Sequence, residues 1–81
     1  MKMIIKNEWE TPDAIPAKDI DLEHFSEEVE VLIPEMDAFG VIREVKRIGY
    51  DHLQAHQWFV FSEDNTREEL CSRVLAWRYL S

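Results

Sequence analysis

Glu28-Val29-Glu30-Val31-Leu32-Ile33, closed by Pro34, is the stretch on which the fold turns. Its β-branched residues alternate with acids and then run continuously apolar. That is the pattern of a strand that becomes more buried along its length, until a residue without an N–H stops the ladder. Pro34 to Gly40 reads as a turn, and Val41-Ile42-Arg43-Glu44-Val45-Lys46-Arg47-Ile48 as a second strand ending at Gly49. The two are expected to pair as a hairpin. A helix over 41–48 is the alternative, opposed by glycine at both ends and by the β-branched content.

Downstream of this pair, Trp58-Phe59-Val60-Phe61 reads as a third strand with two apolar faces, closed by the polar turn Ser62-Glu63-Asp64-Asn65. Trp58 and Phe59 must point to opposite faces, one to the core and one to a covering loop, helix or partner. Thr66-Arg67-Glu68-Glu69 has the spacing of a capping box and predicts a short helix over 67–73 with Leu70, Cys71 and Val74 inward. Periodicity allows that helix to continue to Leu80, and Val74 to Tyr79 fits equally a last strand in which Val74, Ala76 and Arg78 share a face. Upstream, Met3-Ile4-Ile5 between lysines fits a short edge strand or a frayed tail, and Pro12 and Pro16 make residues 9–17 a loop that lays Trp9 and Ile15 on the core. Asp19 to Glu28 stays open between a strand and one capped helical turn. The expected fold is α+β, a three- to four-stranded antiparallel sheet with one short helix, in a single domain over 1–81.

A chain of 81 residues that is 46% apolar, with three tryptophans, can fold around one core without staples. A core that small supplies only about 3–5 kcal/mol, which leaves room for a second copy or a partner to cover apolar surface, and so for a homodimer. The single cysteine, Cys71, makes no internal disulfide and fits a reducing compartment. The start is too short and too soon charged for a signal peptide, and no apolar window has membrane-spanning length, so a cytoplasmic protein is expected.

Charge is unevenly placed. Residues 1–37 hold 11 acids and 3 bases, net −8, and residues 38–81 hold 6 of each, net zero. Direct nucleic-acid binding is disfavoured, because phosphate contacts need clustered Lys and Arg. The same field attracts a basic protein surface of the kind that normally holds nucleic acid. The candidate partner-binding residues are Asp19, Asp21, Glu23, Glu27, Glu28 and Glu30, with Trp58 as the aromatic to watch.

Signals for catalysis are weak. His52-Leu53-Gln54-Ala55-His56 would put two imidazoles on one face of a helix, as zinc sites sometimes require, with Asp51, His24 or another carboxylate as the candidate third ligand. Leu53 stands where a zinc-protease helix carries its glutamate. There is no serine elbow, and Gly40 and Gly49 alone make no phosphate-cradling loop. No catalytic residue and no cofactor is expected.

Trp9 and Pro16, then Val29 to Ile33, Gly40-Val41-Ile42, Trp58, and Val74-Leu75-Ala76-Trp77-Arg78-Tyr79-Leu80, in that order, resemble a family of short phage- and prophage-encoded domains of unknown function. Members of that family show an early Trp, a Leu-Pro, a Val-Leu-Val strand, a central Trp and a closing Trp just before Leu-Pro. Here Ile15-Pro16 replaces the first Leu-Pro, residues 17–28 read as an insertion, and no proline follows Leu80. The resemblance implies a strand over Val74 to Leu80 and a phage or prophage gene, acting in the host cytoplasm, but supplies no activity.

The expectation is therefore a non-catalytic accessory protein that binds and inhibits a host nucleic-acid-binding protein or defence complex, in the manner of anti-CRISPR or anti-restriction proteins. The alternatives are a small metal-binding protein or hydrolase using His52 and His56, and a structural homo-oligomer assembled through the Trp58 to Phe61 edge.

Overall fold

A computed structural model describes residues 8–80. They form one antiparallel sheet of five strands, β1 (Val29–Met36), β2 (Ile42–His52), β3 (Gln57–Phe61), β4 (Glu68–Cys71) and β5 (Ala76–Tyr79), in the order β4-β3-β2-β1-β5. The first four strands are a simple meander, and the fifth returns beside β1. The central hairpin pairs Val29 with Gly49 and Met36 with Ile42, and Asp37 closes its turn by accepting the Phe39 and Val41 N–H groups at Oδ1, 2.8 and 3.0 Å away. Gly40, at φ 81°, takes the left-handed position that this turn needs.

Two expectations are corrected here. The chain is all-β among the described residues, not α+β, and the sheet has five strands instead of three or four. The capping box does not form, because the Thr66 hydroxyl donates to Asp64 Oδ1 at 2.6 Å. That bond holds Thr66 in the β3–β4 turn, and Glu68–Cys71 runs on as a strand against β3. The expected strand at Met3 to Ile5 lies outside the described residues.

Smaller differences have local causes. β1 passes through Pro34, where β5 no longer flanks it and a missing N–H is tolerated. β2 continues past Gly49 to His52. Val74 belongs to the connection before β5, so it shares no face with Ala76 and Arg78 and sits in the core instead. In the N-terminal loop, Ala14 and Pro16 pack inward while Ile15 is exposed, and Trp9 lies under the Arg78 guanidinium, 4.2 Å from its ring centre.

The sheet is strongly curled. Five residue steps join Cys71 to Ala76 and span at most about 18 Å, roughly what a flat sheet would require between its outer strands without any detour. Yet Val74 dips into the core on the way, and Trp58 on β3 meets Trp77 on β5 with ring centres 6.4 Å apart. The concave face holds the core of Val29, Val31, Trp58, Val60, Val74 and Trp77. Residues 10–17 close it: Glu10 pairs with Trp77, and the Trp77 indole N–H donates to the Ala14 carbonyl at 2.8 Å. The convex face carries Tyr50, Phe59 and Phe61, all half-buried.

Candidate functional site

Segment 24–26 decides what the convex face can do. Ser26 N–H donates to the Asp51 carbonyl at 2.8 Å, Leu53 N–H to the His24 carbonyl at 2.8 Å, and Asp51 N–H to Ser26 Oγ at 2.8 Å. These bonds fix Phe25 against the end of β2, edge-on to Tyr50 at 5.5 Å and to His52 at 5.0 Å. Tyr50 in turn stacks on Phe59 at 5.4 Å and leans on Phe61 at 6.0 Å. A cavity of about 380 Å³ opens beside these rings, lined by Leu22, Phe25, Tyr50 and Phe61 and by the acids Asp19, Glu28 and Glu68.

The Tyr50 hydroxyl donates to Glu68 Oε2 at 2.8 Å. Burial, and then the Glu68 and Glu28 carboxylates, push the phenol up to about 12, so it remains a donor across the physiological range. Asp19 Oδ1 accepts the Asp21 N–H at 2.7 Å, which shapes the loop. Among the described residues no Lys or Arg forms an ion pair with Asp19, Glu28 or Glu68. Lys18 lies close in sequence, but its ammonium donates to the Asp19 and Leu22 carbonyls at 2.9 and 3.4 Å.

The sequence-derived candidates separate. Asp19 and Glu28 come together at the cavity. Asp21 and Glu23 are exposed on the same loop, and Glu27 is half-buried. Glu30 is neutralised by Arg78, with Nε 2.6 Å from Oε1. Trp58 is 6% exposed and belongs to the core beside Trp77. Glu68 was not among the candidates. It lies forty residues beyond Glu28, and Thr66-Arg67-Glu68-Glu69-Leu70-Cys71 shows no strand alternation that could have placed it beside Phe61.

His52 and His56 do not converge. His52 caps the end of β2, its ring edge-on to Phe25 and stacked on His24 at 6.5 Å. His56 sits in the β2–β3 turn at φ 50°, with Nδ1 3.0 Å from Asp51 Oδ2. Among the described residues no three His, Cys, Asp or Glu side chains are placed to hold a metal ion. The Asp51 side chain is fully buried, and its Oδ1 has no hydrogen-bond partner among the described residues. Burial pushes its carboxyl up, and the His56 bond opposes this only in part. An imidazole oriented by a buried carboxylate is half of an acid–base apparatus. The adjoining groove of about 440 Å³ includes Cys71 and Ser72, yet His56 hydrogen-bonds to neither.

Comparison with protein-family models, curated proteins and solved structures finds no match to this chain. Among the described residues, no helix is long and apolar enough to cross a membrane.

Proposed function

We propose that this chain is a non-catalytic binding protein that docks an acidic face on a basic protein surface and blocks nucleic acid there. The observation that carries it is the distribution of unpaired charge. Arg43, Arg47 and Arg78 are engaged by Asp37, Glu35 and Glu30, whereas Asp19, Asp21, Glu28 and Glu68 have no Lys or Arg partner among the described residues. Three of these, Asp19, Glu28 and Glu68, line one cavity where segment 19–28 meets the convex face, and Asp21 lies on the same loop. Such a field steers a basic partner and repels nucleic acid. With the resemblance to phage-encoded domains taken as support, the partner proposed is a nucleic-acid-binding protein or defence complex of a host cell, a target of the anti-CRISPR or anti-restriction type.

The test is a pull-down from bacterial lysate with the tagged chain, across a salt series and with and without nuclease. A nucleic-acid-binding protein is expected, released at high salt and displaced by added DNA or RNA. Binding indifferent to salt, or surviving the combined Asp21→Lys, Glu23→Lys and Glu27→Lys changes, would overturn the reading.

One observation favours a second reading, a homo-oligomeric structural module. The route through Trp58 to Phe61 is closed, because β3 is flanked by β2 and β4. The β1–β2 hairpin, however, extends beyond its neighbours and ends in exposed Met36, Phe39, Val41 and Ile42. Sedimentation mass at high concentration, for the chain and for Phe39→Asp, distinguishes this reading: a monomer in both ends it.

A further inference from the structure

We propose that the cavity beneath the 19–25 loop is a receptor for one cationic side chain, a lysine or an arginine, projecting from the partner. This deepens the docking reading above and rests on it. The walls are apolar and aromatic: Leu22, Phe25, Tyr50 and Phe61 offer surface for a methylene stem and ring faces for a cation. Asp19, Glu28 and Glu68 contribute three formal negative charges at the same place, with no Lys or Arg of the described residues paired to them. The nearest ammonium in sequence, Lys18, is held by backbone carbonyls of the loop.

Other ligand classes fit less well. An anion would meet three carboxylates. A neutral apolar group would strip their water and return nothing for it. A bare metal ion needs convergent ligands, and among the described residues no such set exists. A long cationic side chain satisfies all the features together: its stem lies on the rings, and its head meets acids spaced around a cavity of about 380 Å³. Tyr50 joins the two halves, because its ring is a wall and its hydroxyl holds Glu68 in place at 2.8 Å.

The test is an NMR titration of the isotope-labelled full chain with four capped tripeptides, Gly-X-Gly, where X is lysine, trimethyl-lysine, arginine or norleucine. Saturable shifts of the Phe25, Tyr50 and Phe61 ring protons are expected with the three cationic peptides and not with norleucine, their neutral counterpart. Glu28→Gln and Glu68→Gln keep shape and remove charge, and each is expected to weaken binding about fivefold. Glu63→Gln, outside the cavity, is expected to leave binding unchanged. Equal binding of norleucine, shifts confined to other residues, or full binding by both Gln variants would overturn the proposal. The two readings fail separately: cationic peptides that bind while no basic partner is captured would remove the docking reading and leave the receptor. Salt-sensitive capture of a partner with unmoved rings would remove the receptor and leave docking by surface charge.

Discussion

Gly49 faces Val29 and Val60 across two strand pairs, and a Cβ there would lie 2.7 Å from the Phe59 carbonyl oxygen and 3.3 Å from Val31 Cγ1. The first contact is with backbone, which cannot swing aside, so Gly49→Ala is expected to cost about 1–3 kcal/mol, read as a lower urea midpoint with an unchanged slope. In sequence this glycine looked like the end of a strand; its actual role, close approach inside β2, depends on residues far away in the chain. Asp51 makes the same point with charge. Burial holds its carboxyl above the ordinary range, so the folded state binds its proton more tightly than the unfolded chain does. Its contribution to stability is therefore fully present below the unfolded value and falls as pH rises through the folded one. Asp51→Asn removes the buried charge, and is expected to raise stability at neutral pH by about 1 kcal/mol and to flatten that fall in a pH series of melts.

At the scale of elements, the β3–β4 turn decided more than any propensity. Asp64 Oδ1 accepts the Ser62 and Thr66 hydroxyls at 2.7 and 2.6 Å and the Thr66 N–H at 3.2 Å, and Asn65 takes φ 61°. The Thr66 side chain is thus committed to the turn and cannot cap a helix. These hydrogen bonds draw the Asp64 carboxyl down to about 2. Their stabilisation is present above the ordinary value of 3.8 and is lost as pH falls through about 2. Asp64→Asn is accordingly expected to melt below the wild type at pH 5 and to match it near pH 2; a gap that stayed constant with pH would refute this account. The helix expected over 67–73 failed for a specific reason: a four-residue spacing pattern is satisfied by a tight turn as readily as by a helix start. Glu68–Cys71 then had a partner waiting in β3.

At the scale of the whole molecule, 17 acids face 9 Lys and Arg, and the net charge of −8 that remains after all the bases are counted, those in ion pairs included, is uncompensated. Self-repulsion therefore opposes compaction, and salt should relieve it, since the screening length shrinks from about 30 Å at 0.01 M to about 3 Å at 1 M. Melting followed by tryptophan fluorescence is expected to move upward by several degrees between low and high sodium chloride, and a fall would show that the ion pairs matter more than the repulsion. The same curl that buries Trp58 against Trp77 turns Tyr50, Phe59 and Phe61 outward, so core and candidate site are two sides of one sheet. By itself the sequence determined the central hairpin, the opposed directions of Trp58 and Phe59, the acidic first half and the absence of a zinc-protease glutamate. Each of these is written in neighbouring residues, through period, turn chemistry or count. Only the tertiary structure decided that Glu68 joins Asp19 and Glu28, that Arg78 neutralises Glu30, that the two histidines part, and that 68–71 is a strand. These outcomes depend on which distant segments the curled sheet brings together, and local pattern carries no information about that.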